Sequence, residues 1–155
     1  MGRGGPELDT RLYAWYYGKS YIIALPQARP IAIPNQLILE TANLPITLPT
    51  RLINDQNFLR LDALAQALES SFDIVYFEGS HAMVTGRPYT GSVTGYHSDN
   101  WIVAQIWSEE IFVDGATHPA LSYDIAGFIY YRLRDILQIL GYEIVWQNGV
   151  TRIVS

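Results

Sequence analysis

The chain has 155 residues, 49% hydrophobic and 16% charged, with 10 basic against 15 acidic side chains, a net charge of −5 and no cysteine. That length makes one domain or one and a half and is enough to bury a true core. The absence of cysteine excludes disulfide frames, thiolate nucleophiles and thiolate metal sites; the scattered arginines offer no basic face, so nucleic acid is not an expected partner, and no apolar run reaches the about 18 residues of a membrane-spanning helix.

Residues 1–6 are a loose polar start without the apolar run of a signal peptide. Tyr13, Trp15, Tyr16, Tyr17 and Tyr21 then crowd aromatic rings into one short segment, the candidate binding residues of the chain. Three readings stay open for them: a hairpin buried within its own subunit, a sugar-stacking platform, or a surface meeting another chain. From Ala24 to Leu52, Pro26, Pro30, Pro34, Pro45 and Pro49 stand among β-branched residues, which predicts edge strands and crossing loops rather than helix.

An internal repeat begins next. Residues 53–61 lie over residues 125–133 at an offset of 72, from Ile53 to Ile125, with Arg60-Leu61 over Arg132-Leu133. Leu64, Ala67 and Leu68 fall on Ile136, Ile139 and Leu140. The first copy then carries two extra residues, and Phe72-Asp73-Ile74-Val75-Tyr76 meets Tyr142-Glu143-Ile144-Val145-Trp146 at an offset of 70. Each copy reads as strand, short helix and hairpin. Leu61, Leu64, Leu68 and Leu133, Ile136, Leu137, Leu140 form apolar stripes at three- and four-residue spacing. Gly141 suits a left-handed helix cap, and Asn148-Gly149 is a hairpin turn. The connector from Thr85 to Asn100 is polar, and Ile111-Phe112-Val113-Asp114-Gly115 reads as a strand entering a turn. A partial third echo places residues 15–23 over residues 146–154, Trp15 on Trp146 and Gly18 on Gly149, like the closing hairpin of a unit whose helix is missing.

The motif Tyr130-Tyr131-Arg132-Leu133-Arg134-Asp135-Ile136, followed by Gly141 and Val145-Trp146, resembles the copper amine oxidase N-terminal-like domain, or stalk domain, of secreted and surface proteins of Gram-positive bacteria. The resemblance covers about residues 37–155; the first copy departs from it at Asp62-Ala63 and at Ser70-Ser71. It implies a non-catalytic structural or adhesive module, located extracellularly or at the cell surface after removal of a signal peptide that this chain does not carry. Expected partners are further copies of the chain, other surface proteins or cell-wall glycan.

Chemistry-bearing motifs are sparse. His81, His97 and His118 lack metal-ligand spacing, so no metal site is expected. Glu109 and Glu110 are adjacent and would point to opposite faces of a strand, which suits solvation better than acid–base work on one bond. No Gly-x-Ser-x-Gly elbow or phosphate-binding glycine loop occurs, so no catalytic residue and no cofactor is assigned.

The expected fold is therefore α+β: antiparallel strands with two short helices, an internal duplication of a β-α-β-β unit. Residues 1–36 are taken as an extension with an aromatic hairpin and residues 37–155 as the duplicated domain, with units at about 37–90 and 109–155. The expected shared core sets Leu61, Leu64, Leu68, Leu133, Ile136 and Leu140 against Ile74, Tyr76, Ile144 and Trp146.

Overall fold

The structure is a computed structural model that describes residues 11–16, 19–24, 29–41, 45–93 and 99–154, with the first two stretches and residues 70 and 154 given as backbone alone. Strands β1 (Arg11–Tyr16) and β2 (Lys19–Ala24) form a two-stranded sheet of their own. The first half continues with β3 (Ile31–Glu40), β4 (Ile46–Ile53), β5 (Gln56–Arg60), helix α1 (Leu61–Ala67), β6 (Phe72–Phe77) and β7 (Ser80–Thr85). After the two-residue strand β8 (Ile102–Val103) come β9 (Gln105–Val113), β10 (Ala116–Ile125), β11 (Phe128–Arg132), helix α2 (Leu133–Ile139), β12 (Glu143–Gln147) and β13 (Val150–Val154).

The fold is α+β, with eleven strands in one mixed sheet. The order is β12-β13-β3-β4-β5-β11-β10-β9-β7-β6, with β8 beside β3. This order maps onto itself when the first-half strands are exchanged for their second-half counterparts and the list is reversed. The midpoint lies where Leu59 faces Tyr131, two residues separated by the offset of 72. The same offset carries Leu39↔Ile46 onto Ile111↔His118 and Ile33↔Leu52 onto Gln105↔Asp124.

Two pairings correct the expected all-antiparallel sheet: β7 runs parallel to β9, and β13 parallel to β3. Each hairpin thus lies against the first long strand of the other half. Parallel neighbours require a long connection, and the 86–104 segment and the far separation of β13 from β3 provide one.

The proline-rich stretch is also corrected. Its strands β3 and β4 lie inside the sheet rather than at its edge and contain Pro34 and Pro49, while Pro30 and Pro45 stand just before them, outside the strands. Pro34 lies between the parts of β3 that meet β8 and β13, and Pro49 lies outside the part of β4 that meets β5. Both prolines therefore stand where one flank has no ladder to lose a donor from. Likewise β9 extends well upstream of the predicted Ile111, through residues whose mostly exposed side chains give no burial signal.

Alternation along β5 and β11 splits the core into two. Leu59 and Tyr131 join Leu61, Leu64, Leu133 and Ile136 beneath the helices. Phe58 and Tyr130 face the other way, into a smaller cluster with Ile53, Ile125, Ala32 and Ala104. That smaller cluster consists of three residue pairs, each related by 72 positions. Arg51 is buried beside it, with Nη1 donating to the carbonyls of Ala32 and Asn100. The expected core holds at the helices, where Leu64 and Ile136 are both fully buried in one cluster. It fails at the hairpin ends, because Tyr76 and Trp146 are 75% and 64% exposed and Ile144 is also exposed. The hairpins twist past the region that the seven-residue helices can cover.

Helix α2 ends in the expected glycine cap: Gly141 adopts φ +81°, and the amides of Gly141 and Tyr142 reach back to the carbonyls of Gln138 and Leu137. Helix α1 ends instead in one tight turn, Glu69–Ser71, with Glu69 at φ +47°. That turn accommodates the two additional residues of the first copy.

Asp73, at the start of the outermost strand β6, ties down the following connector. Its carboxylate accepts the Thr90 amide at 3.0 Å, the Arg87 guanidinium at 3.0 Å and the Ile74 amide at 2.9 Å. The Thr90 amide, followed by Arg87, holds its pKa at about 2, below the ordinary 3.8. A carboxylate with a lowered folded pKa stabilises fully above its unfolded value and loses that contribution as pH falls through the folded one. Thermal midpoints are therefore expected to drop as pH falls from about 4 to about 2, and less steeply in Asp73→Asn. Superimposable acid profiles for the two proteins would remove Asp73 from this role.

Candidate functional site

Of the aromatic candidates, Tyr13, Trp15 and Tyr16 stand on β1 and Tyr21 on β2; Tyr17 lies outside the described residues. Trp15 is the ladder partner of Ser20, and Tyr16 of Lys19. In β12 and β13, Trp146 is the partner of Thr151, and Gln147 of Val150. The two hairpins thus share one register, at the offset that places Trp15 on Trp146.

Among the exposed rings with described side chains, Trp101 stands before β8 and Trp107 on β9, while Tyr76 and Trp146 stand on the outer hairpins and each lines a groove. The larger, of about 630 Å³, opens between the β4–β5 turn, the start of α2 and the last hairpin. Trp146, Ile144 and Tyr142 form its apolar wall, and Asp55, Gln56 and Arg134 bring polar groups to it. The smaller, of about 230 Å³, is lined by Arg60, Asp62, Tyr76, His81 and Phe128. The repeat relates the two: Arg132 corresponds to Arg60, Arg134 to Asp62, Trp146 to Tyr76, Thr151 to His81 and Gln56 to Phe128.

These substitutions explain the difference in size. In the smaller groove the Arg60 guanidinium lies 4.4 Å above the Phe128 ring and bridges to Asp62 at 2.6 Å. His81 packs between Tyr76 at 5.1 Å and Tyr131 at 6.2 Å, and burial lowers its pKa from 6.5. In the larger groove the compact Thr151 replaces the imidazole. Arg132 turns aside, donating to Asp135 at 2.9 Å and to the Gln56 side-chain oxygen at 3.1 Å. Arg134 is exposed, with no hydrogen bond or ion pair among the described residues. Asn57 accepts from Asn35 at 3.1 Å and from Thr50 at 2.8 Å through its oxygen, so its amide nitrogen is the half left to donate.

A ring wall, a guanidinium, a carboxylate and side-chain amides can bind by stacking and hydrogen bonding. Among the described residues the groove lining holds no histidine, serine or cysteine; its carboxylate is Asp55 and its hydroxyls belong to Tyr142 and Thr151. His81 and His118 stand on β7 and β10, and His97 lies outside the described residues. Among the described residues no three His, Cys, Asp or Glu side chains gather in a metal-binding group. Glu109 and Glu110 are consecutive, exposed residues of β9. No helix among the described residues is long and apolar enough to cross a membrane.

The sequence reading missed these grooves. Its one available signal was the departure of Asp62-Ala63 from Arg134-Asp135, since that change differentiates one groove from the other. Comparison with protein-family models, curated proteins and solved structures finds no match to this chain.

Proposed function

We propose that the chain is a non-catalytic structural or adhesive module of the stalk-domain type, built by internal duplication and serving a bacterial envelope, spore or extracellular filament. The observation that carries this reading is the self-mapping sheet order. It puts a hairpin at each end of the sheet, and each carries exposed rings past the core: Tyr76 and Phe77 on one, Trp146 on the other. Edges with exposed apolar side chains are the usual sites of strand addition between chains. The register repeat at offset 72 supports the duplication, and the motif around Arg132 and Trp146 supports the family.

The test is mass in solution by light scattering. The full chain is expected to form assemblies larger than one copy, and the chain without residues 1–25 to lose them. An unchanged assembly state after deletion would exclude a role for the N-terminal hairpin, and a full chain that stays monomeric would sink the self-assembly reading.

A second reading, a carbohydrate or cell-wall binding module, is favoured by the larger groove, where the Trp146 ring adjoins Arg134, Gln56 and Asp55. It calls for a change in tryptophan fluorescence with soluble glycan polymers, reduced in Arg134→Ala. Calorimetric silence across a broad glycan panel would end it.

A further inference from the structure

The two halves follow one rule of closure: a hairpin lies parallel to a first long strand, β7 on β9 and β13 on β3. The rule leaves one hairpin unplaced. Hairpin β1–β2 matches β12–β13 in sequence echo and in ladder register, yet it forms a separate two-stranded sheet. We propose that β1–β2 of one copy docks on β3 of a second copy, in the slot that the second copy's own β12–β13 otherwise fills. This rests on the self-assembly reading above and names its contact.

Register fixes the fit. β13 meets β3 through Val150↔Ile38, Thr151↔Leu39 and Arg152↔Glu40. Carried over, Lys19 faces Ile38, Ser20 faces Leu39 and Tyr21 faces Glu40. Thr151 is only 5% exposed, so its position demands a small side chain, and Ser20 is one. Ile22 takes the position of Ile153, which packs against the main core. The incumbent is lightly held: its three ladder pairs are supplemented by the Arg152–Glu40 bridge at 2.6 Å, where Arg152 is 47% exposed. The hairpin of the first half has two ladder pairs with β9, supplemented by the Asp114 carboxylate, which accepts the Thr85 amide and hydroxyl.

Chain length makes the docking intermolecular. With Tyr21 level with Glu40, β2 runs three positions further, to Ala24. The start of β3 lies nine positions back from Glu40, at Ile31. A return over those twelve positions spans about 40 Å at roughly 3.3 Å per residue. The seven residue steps from Ala24 to Ile31 reach at most about 25 Å fully extended. The hairpin therefore cannot close on its own β3 in this register. The corresponding connection between β7 and β9, residues 86–104, is long enough to turn back. A hairpin that reaches only a neighbour makes a head-to-tail contact, which propagates as an open chain of copies unless it closes into a ring. The C-terminal hairpin then acts as an internal plug that competes for the same strand.

The chain contains no cysteine, so the contact can be trapped cleanly. Full-length Tyr21→Cys and full-length Glu40→Cys are mixed, oxidised mildly, and analysed for covalent dimers alongside light scattering. The expected yield is several-fold above that of Tyr21→Cys mixed with Glu109→Cys, an exposed position on β9. Ser20→Pro in the Tyr21→Cys chain is expected to return the yield to that of the control pair. A yield equal to the control pair in samples that still assemble would overturn the hairpin exchange and leave self-assembly standing. The same yield in samples that stay monomeric would overturn both.

Discussion

Ile136→Ala is expected to lower stability by about 2–5 kcal/mol in equilibrium denaturation. Ile136 is fully buried at the centre of the cluster beneath both helices, among Leu133, Leu137, Leu59 and Leu64. Truncating it removes transfer free energy and leaves a cavity that neighbours from two halves would have to collapse together. Leu64→Ala, at the repeat-related position and equally buried, is expected to lose a comparable amount. A loss below about 1 kcal/mol for either variant would mean that the halves do not share one interior.

Asp135→Ala is expected to cost about 2–4 kcal/mol. The register of β10 slips between Pro119 and Ser122, and the Leu121 amide in that irregular stretch donates at 2.9 Å to the Asp135 carboxylate on α2. The same carboxylate oxygen accepts Arg132 Nε at 2.9 Å. Removing it leaves a partly buried amide and a guanidinium without their acceptor. The first half dispenses with this arrangement at both ends: Pro49, which has no N–H, corresponds to Leu121, and Ala63 corresponds to Asp135. Its arginine, Arg60, pairs with Asp62 instead. Transplanting that solution, as Leu121→Pro with Asp135→Ala, is expected to cost less than the sum of the two single changes. Strict additivity in denaturant titrations would refute the compensation.

The helices, their stripes, the glycine cap, the hairpin turns and the offset of 72 were legible in the sequence because each is set by residues close together in the chain. Asn148-Gly149 is one such signal, with both residues at positive φ. The placement of the hairpins was not legible. Which long strand a hairpin joins depends on partners distant in the chain, from Ala82 to Phe112 in one half and from Arg152 to Glu40 in the other, and neither strand encodes the choice locally. The prolines misdirected the reading for a similar reason, since Pro34 and Pro49 are tolerable only where a ladder stops on one flank. Tyr76 and Trp146 were placed in the core because they are large rings in β-rich runs, whereas each hairpin extends past its helix. The grooves lay beyond local patterns altogether, since the larger one draws on residues as far apart as Asp55 and Thr151.

The parallel pairing of β13 with β3 also sets a timetable. A chain emerging from a ribosome lacks the strand that covers β3 until residues 150–152 have been made. Until then one flank of β3 stays open, and its closure bears the entropy of a very long loop. The native sheet is thus completed late, by the strand pairing whose partners lie farthest apart along the chain.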